Sequence, residues 1–480
     1  MNLGLLTDYY ELSMLQGYYF THRDEQAVFE MFFRRQPFEG GFTIFAGLDP
    51  LIDAIVELRF TDDDIKYLDS LRTFRKPFLD YLKDFRFQGN VCALAEGSVV
   101  FPNEPLIRVQ GELMQAQLLE SLILNHINFQ SLIATKTARI VIAANDGSVL
   151  EFGLRRAQGI DGAVSATRAA FIGGASSTSN VMAGKQYGIP VSGTMAHSWI
   201  MSFDSEQEAF EKYAEIYPDN CVLLVDTFDT LKSGVPNAIR VFKKLQQMGK
   251  RDFGIRLDSG DLEYLSKEAR RMFDRAGLSE TKIYASNELD EWVIDQIIKN
   301  GACVDAWGVG TKLVTGDKDP ALTGVYKIVA KGAGGTLEPC IKISNNPDKI
   351  TNPGIKNVVR LYNKQHMMLA DLIYLDEEED ALSESIARQQ ALRLNHPSID
   401  HAHFVCTEYE ATRKLLEPVI VKGKRTSEPR SLQDIRSFAQ ADLAALHSTH
   451  KRLLNPHVYK VSISDKLKVL KKKLIADCCT

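Results

Sequence analysis

Cys221-Val-Leu-Leu-Val-Asp226, Asp252-Phe-Gly-Ile-Arg-Leu257, Lys282-Ile-Tyr-Ala285 and Val304-Asp-Ala-Trp307 are four short apolar runs along one stretch of chain. Amphipathic segments such as Val235–Gln247 and Leu262–Ala276 lie between them. Runs of this length, bounded by polar residues and separated by helix-sized segments, predict parallel strands joined by crossover helices. Upstream, Ser148–Phe152, Ala169–Gly173 and Pro190–Gly193 read as further strands, so the rhythm fills residues 146–312. Seven such units in a row, with no dinucleotide fingerprint at the first, favour a barrel over an open sheet.

The residues that follow these runs are polar. Arg155 follows the first, Ser176 and Ser177 the second, Thr194 and His197 the third. Asp226 ends the fourth, Arg256 and Asp258 flank the end of the fifth, Ser286 and Asn287 follow the sixth, and Gly308-Val-Gly310-Thr311 follows the last. In parallel α/β folds the carboxyl ends of the strands converge on the active site. One polar strand end means little; a ring of them bearing arginines and a histidine is a candidate site.

The flanks have another character. Thr7, ahead of Asp8 and Glu11, and Thr61, ahead of Asp62, Asp63 and Asp64, read as helix starts, with acids near the positive end of the helix dipole. Val28–Arg34 reads as a strand and Gln115–Ala144 as a long helix. Residues 313–375 are β-rich, with a hairpin turn at Gly332–Gly335. Residues 381–480 carry helical patterns and end in a lysine-rich helix with Leu467, Leu470 and Leu474 on one face.

With 480 residues, 45% hydrophobic and 25% charged, the chain reads as a globular protein of two to four domains. A net charge of −5 argues against a nucleic-acid partner. No apolar run has the length of a membrane span, and the N-terminus lacks a signal-peptide pattern. The seven cysteines are odd in number, scattered and without a C-x-x-C pair, which predicts free thiols, the tail residues Cys478 and Cys479 included, and a cytoplasmic setting.

Four motifs carry chemistry. Ile255-Arg256-Leu-Asp258-Ser-Gly260-Asp261 joins a guanidinium fork, suited to a carboxylate or phosphate, to acids that can bind ribose hydroxyls or hydrated Mg²⁺. The plainer reading is a structural ion pair with a helix cap. Gly193-Thr-Met-Ala-His197-Ser puts Thr194 and His197 in a loop at a strand end, although a lone histidine is usually a surface or satisfied core residue. Glu151-Phe152-Gly-Leu-Arg155-Arg156 sets an aromatic beside cations, suited to a flat acidic ring; by itself the segment reads as core Phe with solvated Arg. Trp307-Gly308-Val-Gly310-Thr311 lets backbone N–H groups approach a phosphate, but it lacks the Gly-Lys-Ser/Thr of a P-loop.

Leu5-Leu6-Thr7-Asp8-Tyr9-Tyr10-Glu11 resembles the opening of nicotinate phosphoribosyltransferases. So do Phe152-Gly-Leu-Arg155-Arg156-Ala-Gln158, Gly193-Thr-Met-Ala-His197-Ser198, Val225-Asp-Thr-Phe-Asp-Thr230, Arg256-Leu-Asp-Ser-Gly-Asp261 and Gly308-Val-Gly-Thr311. Lys342-Ile-Ser-Asn-Asn-Pro-Asp-Lys349 and Leu453-Leu-Asn-Pro-His457 look like later segments of the same family, in the right order. The resemblance implies an irregular TIM-like α/β barrel over residues 131–325, packed on an N-terminal α/β sandwich domain over 1–130. Residues 326–480 would complete the sandwich and end in a C-terminal helical region.

The resemblance also implies an activity: transfer of a phosphoribosyl group from phosphoribosyl pyrophosphate to nicotinic acid, with Mg²⁺ as cofactor, ATP as co-substrate, and a homodimer with active sites at its interface. By similarity, Tyr10 of the partner subunit would stack on the pyridine ring opposite Phe152, while Arg155, Thr194 and Arg256 hold nicotinate. Gly310 and Thr311 would bind the sugar phosphate, with Ser286, Asn287 and Gly308 completing the phosphoribosyl pyrophosphate set. His197 looks like the histidine that ATP phosphorylates, and Asp226 or Asp258 would face the developing positive charge. Three rivals stand beside this reading: a nicotinamide-using sister enzyme, a quinolinate-using one, which would need more cations for two carboxylates, and a family member that binds without turnover. An aldolase on a similar barrel fits less well, because Lys185 and Lys312 lack the company of a Schiff-base lysine.

Overall fold

The computed structural model describes residues 3–346 and 349–478, so Pro347, Asp348 and Cys479 of the motifs above lie outside the described residues. The chain divides into two units, Ile133–Pro320 and Met1–Leu132 with Ala321–Thr480.

The unit Ile133–Pro320 is built on six parallel strands: β1 (Ser148–Glu151), β2 (Ser177–Thr178), β3 (Cys221–Leu224), β4 (Phe253–Leu257), β5 (Lys282–Ser286) and β6 (Ala306–Val309). Their order is β2-β1-β6-β5-β4-β3, so the first strand pairs with both the second and the last. That is the order of a half-barrel, and it differs from an open doubly wound sheet, in which the order reverses at a switch point. Crossover helices cover the strands by apolar stripes of helical period. Val235–Gln247 buries Val235, Ala238, Val241, Phe242 and Leu245, and Phe242 stacks on Phe253 of β4 at 4.7 Å between ring centroids.

Three strand expectations need correction. Ala169–Gly173 is not a strand but the end of helix Gly159–Ile172. The run is rich in alanine, a strong helix former, and Ala163, Ala166 and Ala170 bury one helical face. The strand here is the polar pair Ser177–Thr178, whose brevity hides it. Pro190–Gly193 forms no strand beyond a single parallel bridge from Val191 to Thr178. The last strand runs from Ala306 to Val309, so Gly308 lies inside it and is buried rather than in the loop beyond.

The second unit holds two larger sheets. One is antiparallel throughout and takes strands from both ends of the chain, in the order Glu338–Pro339, Gly324–Gly332, Gln26–Phe33, Ile107–Glu112, Asn90–Ala93, Glu417–Val421, Lys424–Arg425. The other runs His403–Cys406, Leu392–Asn395, Val461–Ile463, Met368–Leu375, Lys356–Tyr362, Ala411–Lys414. Residues 381–480 are therefore mixed, not helical: they supply strands to both sheets as well as helices Leu432–Ala444 and Asp465–Cys478. These strands have two to five residues, too few for alternation to show in the sequence. Thr61 caps helix Asp62–Ser70 through a reciprocal box with Asp64, whereas Thr7 does not cap: Asp8 occupies the N-cap and the Thr7 hydroxyl donates to Glu11 at 2.6 Å. Among the described residues no helix is long and apolar enough to cross a membrane.

Candidate active site

Register sets the site. Across the parallel ladder Thr178 stands beside Glu151, Glu151 beside Val309, Gly308 beside Ser286, and Tyr284 beside Arg256. Five strand ends thus arrive at one level, each continuing into a polar loop.

Arg256, one residue short of the end of β4, is the hub. Its Nε donates to Ser286 Oγ at 2.8 Å, Nη1 to Thr194 Oγ1 at 2.9 Å and Nη2 to Asp258 Oδ1 at 2.8 Å. Its Cζ lies 5.9 Å from the centre of the Phe152 ring. The pocket beside it is lined by Phe152, Gly193, Thr194, Arg256, Ser286 and Gly308 among others. Gly308 makes room for the aromatic: a Cβ there would stand 2.6 Å from two Phe152 ring atoms. A flat face, a cation and a hydroxyl around a small cavity suit a planar aromatic acid.

The acids lie at the neighbouring strand ends. Asp226 Oδ2 accepts from the Asp258 backbone N–H at 2.8 Å and from Ser259 Oγ at 2.6 Å, while its Oδ1 is buried and has no hydrogen-bond partner. Asp258 also accepts from Ser286 Oγ. Burial pushes the Asp258 carboxyl up, but the Ser286 hydroxyl, Arg256 and His197 outweigh it and hold the group below its ordinary range. His197 opens helix His197–Met201; its Nδ1 meets Thr227 Oγ1 at 3.0 Å and its Nε2 faces Asp258 Oδ2 at 3.8 Å.

The structure therefore gathers Phe152, Thr194, Arg256, Ser286 and Gly308 around one pocket, and links His197, Asp226 and Asp258 through Thr227, Ser259 and backbone. Gly310 follows closely, since a Cβ on it would meet the Phe152 carbonyl oxygen at 3.0 Å, and Thr311 opens the short helix Thr311–Val314. Asn287 is exposed just past β5 with φ +105°, a conformation that few non-glycine residues adopt. Arg155 is exposed on the turn Leu154–Arg156 and takes no part in the bonds around Arg256. Tyr10 belongs to the other unit, where it is 49% exposed on helix Tyr9–Thr21. Sequence reasoning misses Glu151, Thr178 and Thr227 as members of the site. In the sequence Glu151 only leads into Phe152, and a single acid closing an apolar run gives no signal of the three donors it meets.

Three family models together match most of the chain. Residues 5–128 match the nicotinate phosphoribosyltransferase N-terminal domain, 148–368 the nicotinate phosphoribosyltransferase family and 355–471 its C-terminal domain. A nicotinate phosphoribosyltransferase of Bacillus subtilis is 44% identical over 97% of this chain and 93% of its own length. The crystal structure of human nicotinic acid phosphoribosyltransferase, 31% identical, superposes with a TM-score of 0.83 over 98% of this chain and all of that one. A nicotinate-nucleotide pyrophosphorylase from Pyrococcus furiosus, at 22% identity and a TM-score of 0.70, shares the fold.

Proposed function

The chain belongs to the nicotinate phosphoribosyltransferase family, and from that premise we propose how its strand ends carry the family's reaction. The enzyme transfers a 5-phosphoribosyl group from phosphoribosyl pyrophosphate to nicotinic acid, giving nicotinate mononucleotide and pyrophosphate for NAD biosynthesis. The observation that carries the assignment of residues is Arg256, held by Ser286, Thr194 and Asp258 beside the Phe152 ring. Nicotinate lies on Phe152 with its carboxylate toward Arg256 and Thr194, and Arg155 adds positive charge at the rim. Ser286, Asn287, Gly308, Gly310 and Thr311 receive phosphoribosyl pyrophosphate.

Held in line, the pyridine nitrogen donates its lone pair to the anomeric carbon as the bond from that carbon to the pyrophosphate oxygen breaks, its electron pair leaving with pyrophosphate. Positive charge grows on the ribose, and Asp226 or Asp258 faces it. Among the described residues no group of three or more His, Cys, Asp or Glu side chains forms a metal cage. A Mg²⁺ that arrives on pyrophosphate needs only one or two carboxylates, and the unpartnered Asp226 Oδ1 fits that need. There the ion would draw charge from the leaving group.

His197 is the residue we assign to ATP coupling. Thr227 occupies Nδ1 and leaves Nε2 to attack the terminal phosphorus of ATP, forming phosphohistidine and releasing ADP; water later attacks that phosphorus, the P–N bond breaks, and inorganic phosphate leaves with the imidazole restored. We also assign a homodimer in which Tyr10 of the partner subunit covers nicotinate. Exposed apolar side chains on each unit support it: Tyr9, Tyr10 and Met14 on one, Leu154, Ile160, Val181 and Met182 on the other. The half-barrel order, with first and last strands paired, supports an irregular TIM-like barrel, and the two sheets of the other unit support a sandwich. Free thiols at the described cysteines suit a cytoplasmic enzyme.

The test is nucleotide formation from phosphoribosyl pyrophosphate and Mg²⁺ with nicotinic acid or nicotinamide, with and without ATP. Product from nicotinic acid, raised by ATP, is expected. Product from nicotinamide instead would overturn the acid-binding role of Arg256, and no product from either would point to binding without turnover.

A further inference from the structure

Glu151 ends β1 beneath the site, 1% exposed. A buried carboxylate is costly unless its oxygens are met by donors. Here one oxygen accepts the Gly153 backbone N–H, and the other accepts the hydroxyls of Thr167 at 2.8 Å and Thr178 at 2.6 Å. Both threonines are buried and braced in turn by Asn180, whose N–H donates to Thr178 Oγ1 at 2.9 Å and whose Nδ2 donates to Thr167 Oγ1 at 3.2 Å. One side chain thereby ties the end of β1 to β2 and to helix Gly159–Ile172.

The residue so gripped on both sides is Phe152. Its predecessor is the clamp and its successor, Gly153, is the clamp's backbone donor. Gly153 has little freedom besides: a Cβ on it would stand 2.2 Å from Val314, and its carbonyl accepts from Arg156 N–H at 2.8 Å. The ring that results faces Gly308 and Arg256.

We propose that Glu151 is a positioning residue that touches no substrate and sets specificity by fixing the Phe152 ring against the acid-binding Arg256. This rests on the assignment of Phe152 and Arg256 to nicotinate. The phosphate side has bonds of its own, since Leu313 and Val314 N–H donate to the Gly310 carbonyl, and it meets β1 through main chain, with Phe152 N–H donating to the Val309 carbonyl at 2.8 Å. Losing the carboxylate loosens the Phe152 side chain while that main-chain bond remains, so it should harm nicotinate binding far more than phosphoribosyl pyrophosphate binding.

The experiment compares Glu151→Leu, Glu151→Gln and Thr178→Val in the full chain, each checked by thermal melting. For Glu151→Leu the nicotinate KM should rise about tenfold to a hundredfold, the scale of hydrogen bonds to a charged group, with the phosphoribosyl pyrophosphate KM within about twofold of wild type. Glu151→Gln should recover most of the loss, since the threonine hydroxyls can rotate to accept from an amide. If Glu151→Leu does not fold, Thr178→Val carries the test with a smaller rise, about threefold to tenfold, in the same KM alone. Folded variants with an unchanged nicotinate KM, or with both KM values rising together, would overturn the proposal. Should the wild type prefer nicotinamide, the acid-binding reading fails while Glu151 is still judged on the nicotinamide KM. Should it make no nucleotide, nicotinate titration calorimetry decides: weaker binding in the variants would support the proposal, and equal affinity in wild type and variants would overturn it.

Discussion

Asp258 turns one carboxylate oxygen to Arg256 at 2.8 Å and the other toward His197 Nε2 at 3.8 Å. A single acid thus stands between the guanidinium assigned to the substrate and the imidazole assigned to ATP. Any charge that His197 took up would be felt by the group that orients Arg256, and a phosphate proposed there would have a short physical route to the pocket beside Phe152.

Replacing Asp258 by Asn should remove that link. Loss of one preorganised charge from an active site costs about a hundredfold or more in turnover, and kcat should fall on that scale. The Asp258 carboxyl is held below its ordinary range, so it stays ionised across about pH 5 to 8, and an acid limb of kcat in that window should persist in the variant. A depressed carboxyl stabilises the fold fully above its unfolded pKa, about 3.9, and that contribution is lost as pH falls through the lower folded value. Wild type and Asp258→Asn should therefore differ in melting temperature at neutral pH and converge in strong acid.

Arg256→Lys keeps a charge but cannot make the three directed bonds to Ser286, Thr194 and Asp258. The nicotinate KM should rise about tenfold to a hundredfold. Initial rates at varied nicotinate measure this; an unchanged KM would remove Arg256 from the acid-binding role.

Gly308→Ala puts a methyl where 2.6 Å separates it from the Phe152 ring. Either the ring moves or the strand does, at about 1 to 3 kcal/mol for an overpacked buried site. We expect a lower melting temperature together with weaker nicotinate binding. A variant that melts early but binds nicotinate normally would show that the ring has another place to go.

His197→Ala should still form nucleotide slowly from nicotinic acid and phosphoribosyl pyrophosphate, and lose stimulation by ATP. Labelling with ATP carrying a radioactive γ-phosphate should mark wild type with an acid-labile, base-stable phosphate and leave the variant unmarked. Full ATP stimulation in His197→Ala would assign the coupling to another residue.

The sequence by itself determined the parallel β/α rhythm, because each strand run is apolar for burial and each helix carries a stripe at helical period. It also determined which residues lie at the strand ends: Arg256, Asp258, Ser286 and Gly310 are set there by position alone. Their partnerships were decided by the tertiary structure. Arg256 meets Thr194, 62 positions away, only because the loops at the strand ends come together in space, and Asp258 meets His197 for the same reason. The short strands Ser177–Thr178 and those after residue 390 were illegible, since they are too short for periodicity and, unlike Cys221–Leu224 or Ala306–Val309, too mixed with polar residues to stand out as apolar runs; they become strands only by pairing with distant ones. Glu151 shows the difference most sharply: in the sequence it is one acid ending an apolar run, and only folding supplies the three donors that give it a purpose.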